Sequence, residues 1–317
     1  MVRVLLDTDI GSDVDDALAL CFALRCPEIK LEGITTVYGD VHLRARIARK
    51  LLLLGGQPEV PVAAGISRPL LREREVLVMG HEGKGIVQDN EPGLEPVGEH
   101  AVDFMIRTIT DNPGEIILAA IGPLTNVAAA IIRQPEIVRK LKEVIFIGGV
   151  TRLGDNALEV PALEWNVRAD PEAARLVFSA DFPLTMLGMD VTRREATRLH
   201  GQHLERIKKA GTPLTDAAAH LIEIYWEYAE PEMRCIHDVV ALAFILDRQL
   251  VKTRRLRVDI ETRGLHTTGF TLAYSDEQRA NADVAIEIKE PDLLDLFMER
   301  LCGESTQFAE DDTTKRK

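Results

Sequence analysis

Apolar positions along the chain follow two different rhythms. Short, almost unbroken apolar runs stand at VRVLL (2–6), LEGITTV (31–37), VPVAA (60–64), EIILAA (115–120), EVIFIG (143–148) and PLTMLG (183–188). Between several of them lie stretches with helical patterning: DDALALCFAL, HLRARIARKLLLL, AVDFMIRTIT, LTNVAAAIIR and PEAARLVFS. Strand and helix in alternation predict an α/β fold with a mostly parallel central sheet flanked by helices. Runs that are apolar throughout, rather than at every second position, belong to strands covered on both faces. The pattern predicts a single domain over residues 1–302. Residues 303–317, GESTQFAEDDTTKRK, read as a disordered tail. Residues 67–98 cluster Gly, Pro and charge without a period. A loop of that length is functional or disordered, and His81 stands in it between glycines that let it move.

The junctions after the strands carry the chemistry. Asp7 to Gly11 follows the first run, Tyr38-Gly39-Asp40 the second, Ile121-Gly122-Pro123 the fourth, Gly148-Gly149 the fifth and Met189-Asp190 the sixth. In an open α/β sheet, ligands bind beyond the carboxyl ends of the strands, so topology alone gathers these junctions into one crevice. The first junction is the most unusual. Asp7, Asp9, Asp13, Asp15 and Asp16 fall within ten positions, straight after a segment that must be buried. An uncompensated buried charge costs on the order of 3–5 kcal/mol. A bound hard cation, Ca²⁺ or Mg²⁺, resolves that conflict because it takes carboxylate oxygens as ligands. Helix capping by Asp13, with Asp16 in the first turn, accounts for one or two of the acids and leaves Asp7 and Asp9 unexplained. An EF-hand loop starting at Asp7 needs Gly at its sixth position and Glu at its twelfth, and Ser12 and Leu18 stand there instead.

Composition narrows the class. The 317-residue chain carries a net charge of −13 and a pI near 5.2. That argues against a nucleic-acid partner, which requires a basic footprint, and against an anionic membrane surface. No apolar run reaches the ~18 residues of a membrane span, and no signal peptide is visible. The four cysteines form no CxxC pair or zinc spacing, and Cys21 lies in an apolar run. A reducing, cytoplasmic setting is expected.

The second half supplies partners for the acidic loop. Glu164, Trp165 and Asn166 form a polar–aromatic–polar trio ahead of a helix that Asp170 is expected to cap. In LIEIYWEYAEPEMRCIHDVVALAF an aromatic helix face breaks at Pro231, and His237-Asp238 then heads an apolar helix. An aspartate there is most simply an N-cap, whereas His beside Asp before a buried run points to function.

Taken together, DTDIGSDVDDALA, GITTVYGDV, GHEG, IGPLTNVA, FIGGV, EWNVRADPEAA and IHDVVA resemble, in order and spacing, the inosine–uridine preferring nucleoside hydrolase family. The resemblance covers roughly residues 2 to 300. It implies a compact α/β fold, one Ca²⁺, and hydrolysis of the N-glycosidic bond of ribonucleosides to free base and ribose. Carried over residue by residue, Asp9 matches a calcium ligand and general base, Asp16 a second ligand, and Ile121 a backbone-carbonyl ligand. Asp238 matches the last protein ligand. Asp15, Glu164 and Asn166 match ribose-binding residues, with Trp165 in an aromatic position between the last two. His237 matches a residue of leaving-group activation and His81 a mobile-loop histidine near the base. Asp40, Ile147 and Tyr225 complete the expected substrate-binding set. The family further implies a homodimer or homotetramer acting on small-molecule nucleosides, in purine and pyrimidine salvage.

The chain departs from the better-known members in three ways. Two extra residues separate Asp9 from the DDA triplet, leaving Asp13 an unassigned carboxylate. Asp40 stands where many members have Asn, and Leu158 where those binding the 5′-hydroxyl often have Asn. Two alternatives stay open on the sequence: a hydrolase for a different N-ribosyl compound, and a non-catalytic member that binds metal or ligand.

Overall fold

All six apolar runs are strands in the computed structural model, which describes residues 1–88, 91–151, 163–289 and 292–303. They are β1 (Val2–Thr8), β2 (Ile29–Thr36), β3 (Val62–Ala64), β4 (Ile116–Ala120), β5 (Glu143–Ile147) and β6 (Leu184–Leu187). These strands are mutually parallel and lie in the order β3-β2-β1-β4-β5-β6. Three further strands, β7 (Val251–Ile260), β8 (Thr271–Tyr274) and β9 (Ala282–Ile288), extend the sheet. β9 adds parallel to β6, β7 lies antiparallel to β9, and β8 antiparallel to β7. The apolar runs do not reveal this extension. VKTRRLRVDI buries Val251, Leu256, Val258 and Ile260 but exposes Lys252, Arg254 and Arg255, so it reads as polar.

Helices fill the connections. They are α1 (Asp15–Leu24), α2 (Val41–Leu54), α3 (Ala101–Asp111), α4 (Thr125–Arg133), α5 (Trp165–Ala169) and α6 (Pro171–Phe178). Then follow α7 (Met189–Thr192), α8 (Gly201–Ala210), α9 (Pro213–Trp226), α10 (Val239–Leu246) and α11 (Asp292–Cys302). α1 is buried on every side, packed among α2, α9, α10 and α11. α10 is almost as enclosed, as a helix apolar all round must be. Separate apolar clusters occupy the two faces of the sheet.

Strand order places the site. β1 pairs with β2 on one side and β4 on the other, so the chain reverses its direction of travel across the sheet between β1 and β4. A crevice opens beyond the strand ends at such a switch point. Ile121 N–H donates to the Asp7 carbonyl at 2.8 Å, which draws the β4 exit against the β1 exit. Gly122 is needed there. A Cβ on it would stand 2.8 Å from both the backbone nitrogen and the Oδ1 of Asp9.

Asp170 caps α6 as the sequence suggests, and it does more. Its Oδ1 accepts the Ala173 N–H at 3.1 Å, while Oδ2 accepts the Leu70 N–H at 2.8 Å and the Thr125 hydroxyl at 2.7 Å. One carboxylate therefore ties the long 67–98 segment to α4 and α6. Replacing Asp170 by Ala is expected to lower unfolding stability by about 2 kcal/mol, the upper end for a lost cap, because buried donors are left without an acceptor. Urea unfolding measures it, and a loss under about 0.5 kcal/mol would show that water replaces the carboxylate there.

The expectation of a disordered tail over residues 303–317 lies, from residue 304 onward, outside the described residues. Among the described residues no helix is long and apolar enough to cross a membrane, and no disulfide forms.

Candidate active site

β1 runs through Thr8, two residues beyond the apolar run, so Asp7 lies inside the sheet rather than in the acidic loop. Its Oδ1 accepts the Thr35 hydroxyl at 2.6 Å and the Asn126 amide at 2.8 Å. Asn126 also donates to the Thr36 carbonyl at 3.0 Å and accepts from Ile66 N–H at 2.9 Å, stitching β1, β2 and the β3 exit together. Burial raises the Asp7 carboxyl to about 7. Asp7 is a structural acid of the strand ends, which corrects its place among the five carboxylates.

The other four surround the entry to α1. Capping does not explain them. The N-cap of α1 is Val14, with no side-chain cap bond, so the expectation that Asp13 caps this helix is corrected. Asp15 and Asp16 occupy the first turn, where the helix dipole favours negative charge. Asp238 stands at the N-cap of α10, and its side chain makes no cap bond either. Carboxylate oxygens of Asp15, Asp16 and Asp238 lie within 4.8 Å of one another, all buried. Thr8 donates its hydroxyl to Asp16. Burial pushes the carboxyls of Asp15, Asp16 and Asp238 well above the usual range, and their neighbours' negative charge pushes the same way. Asp9 faces this trio. Burial raises its carboxyl to about 6, against the pull of the Arg44 guanidinium. The Trp165 side chain hydrogen-bonds the Asp9 carboxylate, so Trp165 orients that acid as well as lining the site.

These residues line a chamber of about 330 Å³, at the small end for ligand pockets. Its walls include Asp9, Asp13, Asp15, Asp16 and Asp238 on the acidic side. Ile121, Ile147, Glu164, Trp165 and Asn166 also line the chamber, as do Met79, Met233 and His237. Asn166 donates its amide hydrogens to the carbonyls of Ile121, at 2.8 Å, and Ile147, at 2.9 Å. That leaves its Oδ1 as the acceptor available to a ligand. Glu164 caps α5: it accepts from Asn166 N–H at 2.8 Å and Val167 N–H at 3.0 Å, and from Gly149 N–H at 2.8 Å. Its carboxylate is thus fixed by three backbone donors before any ligand arrives.

Other expected residues lie differently. Asp40 is exposed and caps α2, accepting Leu43 N–H at 3.0 Å. It does not line the chamber, so it adds no negative charge to the walls. Tyr225 and His81 line a neighbouring cavity of about 20 Å³, the size of a water molecule, which shares Ser12 and Asp13 with the chamber. Tyr225 hydrogen-bonds Asp13. His81 is buried, donating from Nε2 to the Ser12 carbonyl at 2.6 Å and stacking on Tyr228 at 4.9 Å. Trp226 packs under the Arg234 guanidinium at 4.5 Å, away from the chamber walls. The His237 ring is held at Nδ1 by the Thr192 hydroxyl, 2.9 Å away. Burial, then the charge of Arg193, lowers His237 to about 4, so the imidazole is neutral at pH 7. Any proton it gives a leaving group at that pH comes from a ring N–H, not from an imidazolium. Leu158 lies outside the described residues.

Several residues of this site escape sequence reading. Arg44, Asn126 and Thr192 act through partners distant in sequence. Arg44 alone leaves a trace, being a cation on the apolar stripe of a helix.

Comparison with known proteins bears on this geometry. A family model described as inosine-uridine preferring nucleoside hydrolase matches residues 4–295. The chain is 34% identical over 312 residues to the pyrimidine-specific ribonucleoside hydrolase RihA of Citrobacter koseri, covering 94% of this chain and 97% of that protein. Among solved structures it is similar to the purine-preferring ribonucleoside hydrolase from Gardnerella vaginalis, with a TM-score of 0.83 at 31% identity over 95% of this chain and 98% of that one. The plant nucleoside hydrolase PpNRh1 gives a TM-score of 0.82 at 27% identity, covering 96% and 99%.

Proposed function

We propose that Asp9, Asp16, Asp238 and the Ile121 carbonyl hold a calcium ion in this chain, which belongs to the inosine–uridine preferring nucleoside hydrolase family and hydrolyses the N-glycosidic bond of ribonucleosides to free base and ribose. One observation carries the metal reading. Three buried carboxylates converge within 4.8 Å, with Asp9 beside them. Like charges at that separation are stable only if protonated or bound to a cation. An all-oxygen donor set suits a hard ion, and Asp15, within the same group, is the acid that would meet the ribose hydroxyls. When bound, such an ion supplies Lewis acidity toward water and a grip on vicinal hydroxyls.

The chain's own groups divide the rest of the reaction. Asp9, steadied by Trp165 and by the close approach of Gly122, takes the proton of the attacking water. Bond cleavage builds positive charge on the sugar, as in glycoside hydrolysis, and the carboxylate wall stabilises it. Asn166 Oδ1, Asp15 and Glu164 orient the ribose, and pre-orientation is itself a large part of the rate. His237, Tyr225 and His81 lie toward the base. The similar proteins include both a pyrimidine-specific and a purine-preferring enzyme, so an informative substrate panel contains both base types. With this reading go a cytoplasmic location, for which the absence of disulfides among the described cysteines is support, a homo-oligomeric state and a role in nucleoside salvage.

The test is metal removal. Exhaustive chelation is expected to abolish release of reducing sugar from inosine and uridine and to lower the melting temperature, since a ligand of the folded state alone stabilises it. Calcium added back should restore both. Full activity in a verified metal-free sample would falsify the metal assignment.

A further inference from the structure

The buried residues of α2 are Arg44 and six apolar ones, Val41, Ala45, Ile47, Ala48, Leu51 and Leu52. Arg44 alone among them is charged, and it is only 2% exposed. A buried guanidinium is costly unless every donor is answered. Here the answers come from the first loop and from the β2 exit. Nε donates to the Tyr38 carbonyl at 2.6 Å, Nη1 to the carbonyls of Asp9 and, at 2.9 Å, Ile10, and Nη2 to the Ser12 hydroxyl at 2.9 Å. Among the described residues no carboxylate pairs with Arg44 directly. Its charge acts through space, lowering the carboxyls of Asp9, Asp13 and Asp16 against the effect of burial.

The contacts explain how an acidic loop keeps one shape. Residues 9–12 contribute no helix or strand bonds of their own, and their carbonyls need partners. The planar fork meets two successive carbonyls and a hydroxyl at once, a geometry the ammonium of lysine does not reproduce. Tyr38, whose φ of 63° is left-handed and unusual for a residue with a Cβ, offers its carbonyl to the same fork. The loop that is two residues longer than the short family form is therefore clamped from below by α2.

We propose that Arg44 is a positioning residue for the cation site: it fixes the Asp9–Ser12 backbone so that Asp9 meets Asp16 and Asp238 in a binding arrangement. This rests on the metal reading above. Groups that orient metal ligands without touching the ion are worth 10–100-fold in affinity.

The test is calorimetric titration of calcium into metal-free wild type, Arg44→Lys and Arg44→Met, with melting curves of each metal-free protein. Calcium affinity is expected to fall by about 10-fold in Arg44→Lys, which keeps the charge but not the fork, and by about 100-fold in Arg44→Met. The lysine variant retains volume and charge, and so supplies the comparison if the methionine variant does not fold. A purely structural role predicts lower melting temperatures with wild-type calcium affinity, and that result overturns the proposal while leaving the metal reading intact. Wild-type protein that takes up no calcium overturns both.

Discussion

Inosine and uridine are expected to outperform their 2′-deoxy forms by about 10⁴ in kcat/KM, the discrimination of a site built to bond a hydroxyl against an analogue that lacks one. The geometry behind this is specific. Both amide hydrogens of Asn166 are engaged by the carbonyls of Ile121 and Ile147, so its remaining oxygen faces the chamber as an acceptor. Asp15, Asp16 and Asp238 line the same chamber, buried and acceptor-only when ionised. A sugar without its 2′-hydroxyl leaves such groups desolvated and unanswered. The 5′ end is treated differently. If Glu164 meets that end, as the proposed ribose orientation has it, three backbone donors already occupy most of its capacity. A 5′-deoxynucleoside should therefore lose comparatively little. Equal penalties at 2′ and 5′ would mean that the ribose lies in the chamber in another orientation.

Asp9→Asn is expected to lower kcat by at least ~10²-fold, the lower range for losing a general base. The substitution keeps the shape of the side chain, and the backbone of Asp9 is held independently by Arg44, so the fold should survive. An amide cannot accept the water proton. Steady-state kinetics at saturating calcium isolate the proton-transfer role from any loss of metal affinity. A kcat within a few-fold of wild type, with an unchanged melting curve, would move the base to another carboxylate of the cluster.

The sequence disclosed more of the strands and the acidic loop than of what holds the loop in place. Six parallel strands were legible because a strand covered on both faces is mostly apolar, and β1 to β6 each carry such a run, with their polar residues chiefly at the ends and in β2. β7 and β8 were not, since their faces divide between core and solvent and the charged side mimics loop. Asp15, Asp16 and Asp238 were legible as local oddities: acids beside buried helices. Asp13 and Asp238 illustrate the limit. Each reads naturally as a helix cap, and only coordinates show that neither side chain caps. Asp40 is the converse case, an acid beside a site motif that is a cap after all. Asn126 and Arg44 work across long stretches of chain, where spacing in sequence gives no measure of distance in space.

The position of β9 has a consequence for how the protein is made. It is the last strand among the described residues, yet it lies between β6 and β7, which are both delivered earlier. A ribosome releasing the polypeptide in order therefore presents β7 and β8 before the strand that seats them exists. Until about the last tenth of the chain emerges, the edge of β6 stays open and the β7–β8 pair has no sheet to join. Open strand edges are templates for pairing with other chains. The chamber draws on residues from Asp9 to Asp238, all delivered before β9, and two of its wall residues, Leu187 and Met189, stand at the exit of the strand that β9 joins. A truncation that removes β9 is therefore expected to promote association of chains through the open β6 edge while leaving every wall residue of the chamber in place.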